Sequence, residues 1–384
     1  MQMSKQDPKL RLGMIGGGPS SFIGPVHRMA ARMSNSYELC ATVLSSDAKK
    51  STQLGIEMGM KSERAYPDWK AMIEREKSLP DGIEVLAILT PNDLHYPIAC
   101  AALDAGFHII CDKPLCNNLE NAKILVHKTK EKQRVFCVTY NYSAYPMVRQ
   151  ARAMINNGDL GEIRQVHLEY IQSHMAESSP PYNWRFDSEK GGQSLVVGDI
   201  GTHAYHLGSY VTGLELDELM ADLGSSIPGR SMDDYTSCLL RYENGARGSL
   251  WVTNAAAGAE HGLSFRIFGE KGGLEWHQEN PNILRHRRLN GFEQIMTRRK
   301  DGKLYPTAED SMRLVIGHPE GFHDAFANLY MEVAAEIRSL PQNINKVADE
   351  ISFPTVVDGL KGVNFIYTII ASNKDRSWKN CRIK

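Results

Sequence analysis

Cysteine is scarce and unpatterned in this chain. Its seven cysteines are odd in number and scattered, with no Cys-x-x-Cys pair. Neither a zinc site nor a disulfide framework has the residues it needs, so no metal is expected. Cys111 and Cys116, which flank Lys113, are expected as buried, reduced thiols, in keeping with a cytoplasmic location. Charge of one sign is also missing. Lys and Arg number 44 against 45 Asp and Glu, a formal net charge of −1, which gives no field to attract nucleic acid or an anionic membrane. No apolar run approaches the roughly 18–20 residues of a membrane-spanning helix. The polar stretch Met1 to Leu10 lacks the apolar segment of a secretory signal. There is no internal repeat and no low-complexity tract. What remains is a chain of 384 residues, 42% apolar and 23% charged. That is an ordinary globular composition with more chain than one hydrophobic core usually holds, so two domains are expected.

The first part alternates strand and helix signals. Leu10–Ile15 is an apolar run ending in Gly16-Gly17-Gly18, followed by a predicted helix over Val26–Met33 and a strand over Glu38–Leu44. Helices are predicted over Lys49–Met58 and Tyr96–Ala105, and after Ala65-Tyr66-Pro67-Asp68-Trp69. Val85–Leu89 is a continuous apolar strand suited to a parallel sheet buried on both faces. His108–Cys111, the helix Glu120–Lys132 and the strand Val135–Thr139 complete the series. This βαβ rhythm predicts a doubly wound parallel sheet. After about Asn141 it changes. A helix over Met147–Asn156 is followed by the alternating strand Ile163–Ser173 and a helix over Asp199–Tyr210. Then come strands over Leu219–Gly224, Asp234–Tyr242, Ala246–Thr253, Leu263–Gly269 and Gly273–His277. Phe322–Arg338 and Val356–Ala371 close the chain as amphipathic helices. The expected division is residues 1–142 as a dinucleotide-binding domain and 143–384 as a substrate-binding and oligomerisation domain, with the final helix able to pack back on the first. The fold class expected is α/β, a Rossmann domain plus an α/β domain with a large, open, mainly antiparallel sheet.

Asp199 and His203 carry the most chemistry. Four residues apart on a helix, they share one face, and a carboxylate beside an imidazole orients the ring and raises its basicity. The plain alternative is a satisfied core histidine. At the N-terminus, the glycine run between a strand and a helix suits a pyrophosphate held on backbone N–H groups at a helix start. The strict G-x-G-x-x-G spacing is broken by Ser21, and Gly24 can serve instead if Pro19–Ile23 form an enlarged loop. Where an acidic residue normally binds the adenosine ribose the chain reads Leu44-Ser45-Ser46-Asp47. Ser45 takes that place, Lys49 and Lys50 lie near, and Asp47 is expected as a helix N-cap. This leaves NAD and NADP unseparated. Lys113 ends a strand at the edge facing the ligand crevice, where it can hydrogen-bond a reacting hydroxyl.

Gly16-Gly17-Gly18 with Gly24-Pro25-Val26-His27, Thr90-Pro91-Asn92-Asp93-Leu94-His95, Asp112-Lys113-Pro114, and Gly191-Gly192 followed by Asp199-Ile200-Gly201-Thr202-His203 together resemble the Gfo/Idh/MocA family of nicotinamide-dependent oxidoreductases. The likeness runs through nearly the whole chain. It implies a cis bond between Lys113 and Pro114, and a catalytic set of Lys113, Asp199 and His203. It implies cofactor contacts from Gly16, Gly18, Ser20, Ser21, Phe22, Ile23, Ser45, Thr90, Asn92, His95, Asp112 and Lys113. Substrate contacts are expected from Lys113, Tyr142, Arg185, Asp199, His203 and His318. For Arg185 the alternative is a solvated or interdomain ion pair, for His318 simple exposure, and for Tyr140, Tyr142, Tyr145 and Tyr182 a place in the core or rim. The chain departs from the family pattern at Asp112 (Glu in the family), at the longer glycine loop, at His206 (often Asp) and at Ser143 (near a common Arg). The activity implied is reversible oxidation of a ring secondary alcohol of an inositol, sugar or glycoside to a ketone by NAD or NADP. His203 is the proton acceptor, or Lys113 in its place. Cleavage of glycosides through transient oxidation, and a non-catalytic cofactor-sensing role, are the alternatives. The open sheet implies a homodimer or homotetramer.

Overall fold

The computed structural model describes residues 7–178, 184–299, 304–340 and 351–383; Tyr182 lies outside them. The chain forms two compact units. Unit 1 gathers the described residues of Met1–Cys116, Glu120–Thr139 and Phe326–Gly359, and unit 2 those of Asn117–Leu119, Tyr140–Ala325 and Leu360–Lys384. The division is thus not a single cut near residue 142, because a late stretch of chain returns to unit 1.

Unit 1 is built on β1 (Leu10–Gly16), β2 (Tyr37–Val43), β3 (Val85–Leu89), β4 (His108–Cys111) and β5 (Phe136–Val138), in the order β2-β1-β3-β4-β5. Every pairing is parallel. All five residues of β3 are buried, which is why its sequence is apolar without alternation. The crossovers are α1 (Ile23–Ser34), α2 (Ala48–Glu57), α3 (Trp69–Glu76), α4 (His95–Asp104) and α5 (Leu119–Lys132). Asp47 caps α2 by accepting from Lys50 N at 2.8 Å, and Asp68 caps α3 through Lys70 N and Ala71 N. Helix α1 starts three residues earlier than the expected Val26, because the enlarged glycine loop closes at Phe22. Strand order reverses between β1 and β3, and in open parallel sheets ligands bind at that reversal.

Unit 2 is a nine-stranded sheet in the order β13-β12-β11-β10-β6-β9-β8-β7-β14. The strands are β6 (Ile163–Gln172), β7 (Leu216–Gly224), β8 (Tyr235–Tyr242), β9 (Arg247–Thr253), β10 (His261–Gly269), β11 (Gly272–His277), β12 (Ile283–Arg288), β13 (Glu293–Thr297) and β14 (Lys379–Asn380). Only β6 and β9 pair in parallel. Its helices are α6 (Pro146–Asn156), α7 (Ser188–Gly191), α8 (Thr202–Thr212) and α9 (Pro306–Glu309), with part of α10 (Phe322–Ser339) and most of α11 (Val356–Asp375). Proline at the first turn of α6 gives up an N–H that no helix would have used. Strands β12 and β13 have no counterpart in the expected elements. β12 reads Ile-Leu-Arg-His-Arg-Arg, and so few apolar residues hide its alternation. Residues Val197–Gly201 are a π-helical turn leading into α8, not the α-helix expected from Asp199 onward. Among the described residues no helix is long and apolar enough to cross a membrane, and none of the seven cysteines is in a disulfide, with Cys111 and Cys116 buried.

A buried and a half-buried imidazole in unit 1 make stability pH-dependent. His27 on α1 is fully buried, with Nδ1 2.8 Å from the Tyr330 hydroxyl. Burial lowers its pKa from 6.5 to about 4, and does the same to His108. Below pH 6.5 the unfolded chain takes up protons that the native rings refuse. Stability is therefore full above that pH and falls as the pH drops towards about 4, by on the order of 3 kcal/mol per ring. Thermal melts should show a lower midpoint at about pH 5 than at about pH 7; an equal or higher midpoint at the acid pH would contradict the assignment.

Candidate active site

In unit 1 the end of β1 lies against the end of β3 without room for a side chain. Gly16 has φ +85°, and a Cβ there would sit 2.4 Å from the Leu89 carbonyl oxygen. A Cβ on Gly24 would sit 2.0 Å from the Gly17 carbonyl oxygen. Gly24 therefore does the work of the third glycine of the fingerprint, letting α1 pack onto the loop, while Ser21 lies in the extra turn. Ser21 N donates to Gly18 O at 2.9 Å, and Ser21 Oγ accepts from Gly24 N at 3.3 Å. Phe22 is 77% exposed. This bare backbone at a helix start, at the strand-order reversal, fits a dinucleotide pyrophosphate. At the end of β2 the Asp47 carboxylate is engaged as the α2 cap, and Ser45 Oγ accepts from Asp47 N at 3.1 Å.

The turn after β4 is held from two sides. The Lys113–Pro114 peptide is cis. Asp112 Oδ1 accepts from Lys113 N at 2.9 Å and from the Thr139 hydroxyl at 3.0 Å, so this shorter carboxylate ties its own turn to the end of β5. His95 is buried, with Nδ1 2.9 Å from Pro114 O and Nε2 3.0 Å from Thr90 O. Both ring nitrogens face backbone, so His95 braces the ends of β3 and β4 relative to each other. Asn92 is buried in the short turn before α4, and Lys113 is half-buried.

In unit 2 the π-helical turn and the start of α8 carry Asp199 and His203. The turn is anchored at its entry by Asp233, which accepts from Ser194 Oγ at 2.9 Å and Val196 N at 2.7 Å. Single π turns are frequent where a helix must re-aim a functional side chain. His203 is 7% exposed and walled by aromatic rings, with Tyr142 at 4.8 Å, Tyr140 at 5.5 Å and Tyr170 at 6.3 Å, all edge-on. The Tyr142 and Tyr170 hydroxyls are hydrogen-bonded at 2.7 Å. Burial is the main cause that raises both phenol pKa values, and the nearby Asp199 carboxylate adds to it. Both hydroxyls therefore stay protonated at any physiological pH. Arg185 Nε lies 3.3 Å from Asp199 Oδ1, and its guanidinium stacks 4.5 Å over the Trp184 ring. A Cβ on Gly191 would meet the Arg185 carbonyl at 2.7 Å, so the glycine pair after α7 lets the chain fold over Arg185.

The structure thus gathers Asp199, His203, Tyr142 and Arg185 in one unit. His318 stands apart, exposed, with Nδ1 3.2 Å from Val315 O of its own loop. His206 packs flat on Tyr140, 4.5 Å between centroids. Two members of the group escaped sequence reasoning. His174 follows β6 and has Nε2 3.8 Å from Asp199 Oδ2. Tyr170 sits at an inward position of β6, and strand alternation alone places it on the face where Val166 and Leu168 are buried.

A parallel sheet with a bare backbone cradle at its reversal point, joined in one chain to an open sheet bearing a carboxylate and a caged imidazole, defines a dinucleotide-dependent oxidoreductase. Residues 10–140 match the oxidoreductase family with an NAD-binding Rossmann fold, and residues 148–275 match the GFO/IDH/MocA C-terminal domain. The chain belongs to the Gfo/Idh/MocA family and is an NAD(P)-dependent dehydrogenase with an NAD-binding Rossmann domain. It is 33% identical over 380 residues, 96% of each chain, to the uncharacterized oxidoreductase YfiI of Bacillus subtilis. It is 32% identical over 303 residues to the levoglucosan dehydrogenase of Pseudarthrobacter phenanthrenivorans, covering 72% of this chain and 75% of that one. An inositol dehydrogenase homolog from Azotobacter vinelandii, solved with NADH and myo-inositol, matches with TM-score 0.91 and 34% identity over 97% of both chains.

Gly24→Ala places a methyl group into the Gly17 carbonyl. NADH affinity, followed by fluorescence titration, should fall at least about tenfold while the circular dichroism spectrum keeps its native shape. Unchanged affinity would show that the loop does not hold the cofactor.

Proposed function

We propose that the enzyme oxidises a ring secondary alcohol of a neutral polyol, sugar or glycoside to a ketone, reversibly. The observation that carries this is the caged imidazole, His203, at the start of α8, into which the π turn bearing the Asp199 carboxylate leads. Bound NAD supplies the hydride acceptor, the nicotinamide C4. His203 takes the hydroxyl proton as the C–H bond breaks. Its aromatic walls exclude water, so the proton has few competing acceptors. Asp199, held by Arg185 and flanked by His174, accepts hydrogen bonds from ring hydroxyls and sets the orientation of the ring. Lys113 donates a hydrogen bond to the oxygen that loses its proton and stabilises the developing alkoxide. The inositol and levoglucosan dehydrogenases among the relatives support a cyclic polyol as the substrate class.

The same reading makes the working form a homodimer or homotetramer built on the outer face of the unit 2 sheet. Leu239, Trp251 and Phe268 point away from the core there, 56%, 39% and 42% exposed, and Met220 lies directly opposite Leu239 on the neighbouring strand. Exposed apolar side chains in register on a sheet are covered most simply by a second copy of that sheet.

Lys113→Met and His203→Ala should each lower kcat by about 10²–10⁴-fold with NADH affinity retained. Wild-type turnover in both variants would refute the roles. Release of free sugar without NADH would point instead to glycoside cleavage. Trp251→Glu should shift sedimentation towards the monomer; an unchanged oligomer would place the interface elsewhere.

A further inference from the structure

A cleft of about 630 Å³ opens in unit 2 beside the aromatic cage, lined by the turn between β11 and β12, the entry to β10 and the segment before α10. Its walls are tied together. The Asn282 amide donates to Glu320 O at 2.9 Å and accepts from Glu320 N at 3.4 Å, and Trp276 Nε1 donates to Pro281 O at 3.1 Å. The buried Glu320 carboxylate pairs with Arg298 and accepts from Arg313 N at 2.9 Å and Leu314 N at 2.7 Å. The cleft is therefore preformed, and its size lies within the range that encloses a small organic ligand.

The lining has the chemistry of a carbohydrate site. The half-buried Phe322 supplies a ring face for C–H surfaces. The Glu260 and Glu279 carboxylates and the Asn280 amide supply hydrogen-bond partners for hydroxyls. The Gln278 side-chain amide lies beside the Tyr145 hydroxyl in the cleft wall. The excess of carboxylate disfavours a phosphorylated or acidic ligand. The cleft also lies one ring from the imidazole. Tyr142 stacks on Tyr145 at 6.2 Å and meets Phe322 at 6.1 Å, and its edge reaches His203 at 4.8 Å.

We propose that this cleft is a second sugar subsite, so that the substrate is an uncharged glycoside. Its oxidised ring is bound at His203, and its second ring is bound on Phe322 beside Glu260, Glu279 and Asn280. This rests on the polyol-oxidation reading above. Calorimetric titration of the NADH-loaded protein with neutral disaccharides and with the matching methyl glycosides should show at least about tenfold tighter binding of a disaccharide, the worth of one or two added hydrogen bonds. Asn280→Trp, which fills the cleft, and Glu260→Ala, which only removes a partner, should each reduce that ratio towards one. They should raise KM for the two-ring substrate relative to the one-ring substrate by a similar factor. If single rings are oxidised yet disaccharides bind no better, or neither variant moves the ratio, the subsite is refuted and the oxidation reading stands. If no polyol, sugar or glycoside is oxidised at all, both fall together.

Discussion

One imidazole kept out of water sets the design of unit 2. A polar ring in an apolar setting is costly unless its neighbours suit it, and His203 meets the rings of Tyr140, Tyr142 and Tyr170 edge-on. The phenols that form this wall must themselves be satisfied. The Tyr142 and Tyr170 hydroxyls do this for each other; the Tyr140 ring packs flat on His206. The requirement reaches further out. Tyr170 comes from the inner face of β6, so the register of the large sheet determines where the wall stands. Asp233 anchors the helix that delivers Asp199 and His203. A core residue and a site residue are hard to separate here, because the same packing that stabilises the unit also keeps water from the His203 ring.

Unit 1 follows a different constraint, the close approach of backbone to backbone. Where β1 meets β3, and where α1 meets the loop, no Cβ fits. The anion-binding surface that results is made of main-chain groups. Side chains enter only as braces. Asp112 fastens the Lys113–Pro114 turn to β5, and His95 spans the carbonyls of Thr90 and Pro114. The replacement of the family's Glu by Asp at residue 112 suits this local role, since the shorter side chain turns back on Lys113 N.

Much of this was legible in the sequence. The apolar run of β3 and the Asp47 cap each follow from a local rule, and the order of motifs carried the family. The enlarged loop with Gly24 in the third glycine place was readable as well, because the residues forbid the strict spacing. The failures have physical causes. β12 and β13 bury few side chains, so no hydrophobic period marks them. The π turn at Val197–Gly201 depends on tertiary anchoring by Asp233, thirty-odd residues downstream in the chain. His174 joins the Asp199 group through a fold contact that no linear spacing encodes, whereas the strand alternation of β6 places Tyr170 only on the inward face and not against the Asp199 group. His318, attractive as a loop histidine in sequence, turns its ring to its own backbone.

The central claim is that this enzyme moves hydride from a ring carbinol to NAD while its own residues take the proton. A panel of inositols, monosaccharides and glycosides, each offered with NAD and followed by the growth of NADH absorbance, tests it most directly. The account predicts NADH formed in step with a ring ketone for at least one member of the panel, with the neutral glycosides strongest. Cofactor binding without NADH formation from any cyclic polyol would contradict it.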